Sequence, residues 1–316
     1  DGLTEKKNEL VFGVKAVGIE PEKRRKSTDG GAENGMMEHL FGENDIRKDE
    51  MGAMARKYGL KEFFTFDNFA VSSSNQMAHA AAVAVTDKPG TAYNPLFIWG
   101  GVGVGKTHLM QAVGNSLLYK SRDVKMVYCS GEEFTNDIVE GIKTKSMEKV
   151  REKYRKVAVL LLDDIQFIAG KDTVQEEFFH TFNAILKMGG QIVLTSDRQP
   201  HEIAKLEDRL RSRFEAGLVV DISPPDFALR SAITLIKASQ RDLVISSEQA
   251  QLIAQYADSA RKIEGVLTKL STMINIGGSV MSEAVIKRAM EIKEEEAQST
   301  KILTPLAVTD TVAKVY

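Results

Sequence analysis

The sequence predicts an α/β protein: a doubly wound parallel sheet of five strands followed by a small all-helical domain. Three observations carry this. Five short runs are apolar throughout rather than alternating, as parallel strands covered on both faces require, and helical runs separate them. Pro224-Pro225 breaks the chain, and the pattern beyond it is helical. Between the first strand and the next helix stands a glycine-rich turn, Gly100-Gly101-Val102-Gly103-Val104-Gly105-Lys106-Thr107.

In chain order, residues 1–62 are rich in charge and glycine and read as a charged linker or the tail of a preceding domain. Their basic run, Lys23 to Lys26, reads as a solvated segment rather than a nucleic-acid contact. Order is expected to begin near Phe63 and to open an α/β domain over 63–223. An alanine-rich helix is expected over 75–86, with Asp67 or Ser72 to Ser74 as its cap. The strands fall at 96–99, 124–129, 157–162, 191–196 and 218–222. The helical domain, 224–297, holds four helices at 227–240, 247–257, 260–276 and 282–297. Asp226, Ser246, Ser259 and Ser282 are their start signals.

Composition narrows the function classes. A length of 316 residues has room for two or three domains, and 43% hydrophobic content supports a sizeable core. A net charge of -2 argues against a wholly basic nucleic-acid binder but leaves local basic patches open. The single cysteine, Cys129, excludes an intrachain disulfide and reads as a buried, inert thiol. No apolar stretch is long enough to span a membrane and no signal peptide is visible, so a cytoplasmic location is expected. Both ends read as cut.

The glycine-rich turn matches G-x-x-x-x-G-K-[ST], with an apolar strand before it and a helical run after it. Glycines let backbone N–H groups wrap phosphates at the positive end of a helix. Gly101, Gly103, Gly105, Lys106, Thr107 and His108 are therefore the nucleotide-contact candidates. Lys106 supplies charge near the β- and γ-phosphates, and Thr107 a ligand for Mg²⁺. Some fifty-five residues on, an apolar strand ends in Asp163-Asp164. Asp163 is expected to hold Mg²⁺, directly or through water, and Asp164 to orient or polarise an attacking water. Two adjacent acids can also cap a helix, but beside the phosphate loop the chemical reading is preferred. Asp197, after the fourth strand, is a candidate γ-phosphate sensor, with a turn-forming Asp as the alternative. Arg209, Arg211 and Arg213 alternate along one segment. One of them reaches a neighbour's ATP, or all three pair with nearby acids. Arg261 stands at a helix start where a lid would meet nucleotide.

The combination is specific. Residues 64–69 (FTFDNF), 93–103 (YNPLFIWGGVG), 162–167 (LDDIQF), 175–183 (QEEFFHTFN) and 207–214 (EDRLRSRF) resemble the DnaA family of chromosomal replication initiators, with similarity over about 63–290. The resemblance implies an AAA+ P-loop fold, ATP and Mg²⁺ as cofactors, and hydrolysis used as a switch rather than for turnover. It places the first sensor at Asp197, the second at Arg261 and the arginine finger at Arg209. It places an initiator-specific insertion at 132–154, with Val139 and Lys171 on single-stranded DNA. Thr173 stands where the family often has Arg, and Ser72 where it usually has Gly, so the contacts made there are in doubt. The resemblance further implies origin DNA as partner, single-stranded through this core and duplex through a C-terminal domain of which 298–316 is only the start. It implies head-to-tail self-assembly, and it brings replicative helicase and acidic phospholipid as partners by resemblance alone. The alternative function is that of an accessory AAA+ regulator of the initiator, or a helicase loader, lacking its own duplex-binding domain.

Overall fold

The computed structural model describes residues 50–292. The basic run at 23–26 and the segment 298–316 lie outside the described residues. A helix, α1, runs through residues 50–57, ahead of the expected start of order. Met51, Met54, Ala55 and Tyr58 lie at helical spacing, and all four join the core beneath the helices Gln76–Asp87 and Lys106–Lys120. This apolar face is made of Met, Ala and Tyr set among charged residues, which masks its period in the sequence.

The elements then alternate as expected: α2 (Gln76–Asp87), β1 (Leu96–Gly100), α3 (Lys106–Lys120), β2 (Met126–Ser130), α4 (Gly131–Lys143), α5 (Met147–Arg155), β3 (Val159–Asp163), a 3-10 turn (Ile165–Ile168), α6 (Asp172–Lys187), β4 (Gln191–Ser196), α7 (Asp208–Glu215) and β5 (Leu218–Ile222). The strands are parallel, in the order β2-β3-β4-β1-β5. Side chains alternate across this sheet and build two cores. Leu96, Ile98, Leu161 and Val193 meet α2 and α3 through Ala78, Leu109 and Val113. Phe97, Leu160, Leu162 and Leu194 meet the opposite layer through Phe134, Phe178, Phe182 and Phe214. Fully burying each such side chain contributes roughly 1.5–3 kcal/mol. Cys129 is buried in the second core, where desolvation pushes its thiol up to about 12.

The lid comprises α8 (Phe227–Ser239), α9 (Ser247–Tyr256), α10 (Ala260–Asn275) and α11 (Glu283–Ala289). Asp226, Ser246, Ser259 and Ser282 each accept an N-cap hydrogen bond, as their positions imply. The continuation of the last helix beyond 292 lies outside the described residues. At α2 the capping expectation is corrected: the N-cap residue is Asn75, and no side chain caps the helix. Its Oδ1 instead accepts the Ser72 N–H at 2.9 Å, which closes the preceding turn. Among the described residues no helix is long and apolar enough to cross a membrane.

Candidate functional site

The parallel sheet brings the carboxyl ends of β1, β3 and β4 to one edge, with β4 between the other two. The glycine-rich loop leaves β1 there and enters α3. Gly105, at the N-cap of α3, has φ +109°, and a Cβ there would stand 3.0 Å from the Phe69 ring, so only glycine suits this turn. The first helical bond of α3 is Leu109 N–H to Gly105 O, so the N–H groups of Lys106, Thr107 and His108 form its open, positive first turn.

Lys106 is 8% exposed and donates to Gly100 O and Gly101 O, each at 2.8 Å. Burial pulls its ammonium below the usual lysine range. The charges of Asp164, Asp163 and Asp197 oppose this, while Arg261 adds to it. Those five groups therefore share one electrostatic neighbourhood. Thr107 Oγ1 donates to Asp163 Oδ2 at 2.7 Å. Burial raises the Asp163 carboxyl above its usual range, and hydrogen bonds from Thr195 and Thr107 hold it back. Asp164 turns the chain out of β3 in a left-handed conformation, φ 53° and ψ 56°.

Thr195, fully buried on β4, ties the two acids together: its hydroxyl donates to Asp163 Oδ1 and accepts the Asp164 N–H at 2.9 Å. Sequence reasoning missed this residue. The available signal was a hydroxyl one step beyond Leu194, which pairs with Leu162 just before the acids. Asp197 lies on the same edge, where its bidentate bond to Arg198 (2.6 and 2.9 Å) holds its carboxyl below the ordinary range. Arg261 comes from the lid, and a Cβ on Gly103 would meet its Cγ at 3.4 Å.

His108 turns its side chain away from this cluster. The ring stacks on Phe64 at 4.5 Å, meets the Phe69 edge, and donates from Nε2 to Thr65 O at 2.9 Å. Its contribution to the loop is thus the backbone N–H. Lys237 of α8 lies 6.0 Å from the Phe64 ring and pairs with Glu264 of α10, which links this aromatic group to the lid.

The three arginines lie on α7, so Arg209 and Arg213 share one helix face and Arg211 lies on another. Arg209 is committed to Glu207 at 2.5 Å and to the Phe179 ring at 4.7 Å. Arg211 binds Asp208 and Leu206 O. Arg213, one turn after Arg209, is exposed and has no hydrogen-bond or ion-pair partner among the described residues. Elsewhere, Val139 is 39% exposed on α4. Lys171 Nζ bonds Phe167 O at 2.7 Å and Thr135 Oγ1 at 3.5 Å, which joins the 3-10 turn to α4. Thr173 is exposed in the first turn of α6. Ser72 bonds Ser74.

These residues fit a magnesium nucleotide. No group of three or more His, Cys, Asp and Glu that could hold a metal occurs among the described residues. A hydroxyl and one carboxylate suit a cation that completes its shell with phosphate and water oxygens.

Strand order, phosphate loop, paired acids and helical lid together define a P-loop fold of the AAA+ type. The comparisons narrow the class. A family model described as the bacterial DnaA ATPase domain matches residues 60–221. The chromosomal replication initiator protein DnaA of Thermus thermophilus is 47% identical over 260 residues, covering 81% of this chain and 60% of that protein. Domain III of the Thermotoga maritima replication initiation protein DnaA superposes with a TM-score of 0.70 at 39% identity, covering 72% of this chain and 96% of that structure. A replication initiator DnaA bound to AMPPCP and single-stranded DNA superposes with a TM-score of 0.60 at 29% identity, covering 79% and 92%. The chain belongs to the bacterial DnaA family, and it spans about 60% of the length of the curated relatives it matches.

Proposed function

We propose that this chain is the nucleotide-switched core of a chromosomal replication initiator, which binds ATP with Mg²⁺, assembles head to tail and grips single-stranded origin DNA. The observation that carries it is the grouping of Lys106, Thr107, Asp163, Asp164 and Arg261 at one sheet edge, with the lid arginine against the phosphate loop. The open turn of α3 and Lys106 bind the phosphates. Thr107 and Asp163 would hold the magnesium, which would neutralise phosphate charge. Asp164 orients water, and Asp197 and Arg261 respond to the γ-phosphate. Hydrolysis on this reading is slow and resets the assembly.

The neighbour's site is completed from α7. Arg209 was the expected finger, but its guanidinium is held by Glu207 and Phe179. Arg213 has no partner for its guanidinium among the described residues and suits a phosphate in trans better. A head-to-tail contact of this kind is heterologous and builds an open filament unless its rotation closes. Val139 supplies apolar contact to single-stranded DNA and Lys171 contact to phosphate. Duplex origin recognition, helicase and acidic phospholipid contacts and a cytoplasmic location belong to the same reading of the whole initiator.

Two titrations test it. Lys106→Ala should weaken ATP binding at least about tenfold, some 1.4 kcal/mol; equal affinity would remove the phosphate-loop reading. Fluorescence anisotropy with a single-stranded oligonucleotide should show salt-sensitive binding that requires ATP and weakens in Lys171→Ala. Binding indifferent to both would count against the DNA reading.

A further inference from the structure

The 3-10 turn after β3 holds a side chain that the nucleotide reading leaves unused. Gln166 stands two residues beyond Asp164, and its Nε2 donates to Asp164 Oδ1 at 3.2 Å. The other end of the amide, Oε1, is buried and has no hydrogen-bond partner among the described residues. Turning the amide over would set Oε1 against the carboxylate, acceptor facing acceptor, so the chemistry of the pair fixes which end is which. A buried acceptor left unmatched is unfavourable, and the side chain is held in place by the carboxylate at its other end.

Asp164 is thus restrained at two points. Its N–H is fixed by Thr195 in a left-handed backbone, and Oδ1 is fixed by Gln166. No protein group among the described residues donates to Oδ2. One carboxylate oxygen is anchored and the other is free to accept.

We propose that Gln166 is a positioning residue for ATP hydrolysis, fixing the Asp164 carboxylate so that Oδ2 is presented to the attacking water. This rests on Asp164 as the water-orienting acid. In the step it serves, the water oxygen bonds to the γ-phosphorus and the bond from that phosphorus to the β–γ bridging oxygen breaks. ADP leaves with that electron pair, and the water's proton passes to Oδ2. The side chain of Asp is short, and without the amide its carboxylate can rotate away from the one useful orientation.

The test compares the whole chain with its Gln166→Met, Gln166→Ala and Asp164→Asn variants. ATP affinity is read by equilibrium titration and hydrolysis by single-turnover conversion of radiolabelled ATP, with melting curves for each variant. Methionine keeps the length and bulk of glutamine but removes the donor, so a packing role survives in Gln166→Met and a positioning role does not. We expect both Gln166 variants to bind ATP within about twofold of the parent and to hydrolyse it about tenfold more slowly, a part of the 10²–10⁴-fold that a general base supplies. Asp164→Asn should be slower still. Gln166→Met at the parent's rate beside a slow Asp164→Asn would overturn the role of Gln166 and leave that of Asp164 standing. Asp164→Asn at the parent's rate, or a parent that does not hydrolyse ATP, would overturn both. Loss of ATP affinity in both Gln166 variants at unchanged melting temperature would place Gln166 in binding and overturn the proposal.

Discussion

His108 should make the stability of the fold depend on pH between neutrality and pH 4. Burial among Phe64, Phe69 and the Thr65 carbonyl lowers its imidazole from 6.5 to about 4, with Lys237 adding to the fall and the Thr65 hydrogen bond and Glu264 opposing it. Within that window the unfolded chain binds a proton that the folded chain refuses. The stabilisation is therefore complete above pH 6.5 and is lost as pH falls to about 4. At about 1.4 kcal/mol per unit of pKa, the whole effect is ~3 kcal/mol, of which roughly 2 kcal/mol is lost between pH 7 and pH 5. The assay is urea unfolding at several pH values for the parent and for His108→Gln, which removes the titrating ring. Other groups that titrate, His79 among them, are common to both proteins and cancel in the difference. From pH 7 to pH 5 the parent's midpoint should fall about 1 M further than the variant's, taking a slope near 2 kcal/mol per M. Parallel curves would show that His108 is protonated freely in the folded state and would refute the buried-ring argument.

Thr195→Val keeps the shape of the side chain but strips the hydroxyl from Asp163 and leaves the Asp164 N–H without its acceptor. A loss of about 2–4 kcal/mol in thermal or urea unfolding is expected, and no change would mean that the acids do not depend on β4. Arg213→Ala should leave the ATP affinity of the monomer unchanged and abolish ATP-dependent growth in light scattering. Arg209→Ala should instead lower stability by roughly 0.5–1 kcal/mol through its lost contact with Phe179. The opposite outcome would return the trans role to Arg209.

The sequence displayed the phosphate loop because its backbone leaves little freedom: glycines must stand where N–H groups converge, and Lys and Thr must follow. The acids were visible as a charged end to an otherwise apolar strand. The five strands were visible as short runs apolar throughout, and the four lid helices through their start signals. Thr195 was hidden, since its partners sit on a neighbouring strand and nothing local distinguishes it from any strand threonine. The aromatic setting of His108 was hidden for the same reason, because Phe64 and Lys237 approach from distant parts of the chain. Helix α1 was missed because its apolar face is made of Met, Ala and Tyr among charges. On the proposed reading, the choice among the α7 arginines turns on which guanidinium is already paired, and spacing carries no trace of that.

Lys106 already donates to two carbonyls of the loop it belongs to. An arriving phosphate therefore takes over bonds from Gly100 and Gly101 instead of stripping water from a solvated ammonium, and the charge it meets is shielded from mobile ions by burial. Lys171, near the surface, has no such shelter. On the proposed reading of Lys171 as a strand contact, added salt should separate the two events: a chain that keeps its nucleotide while letting go of its strand, so that ionic strength reads out which of the two contacts is being measured.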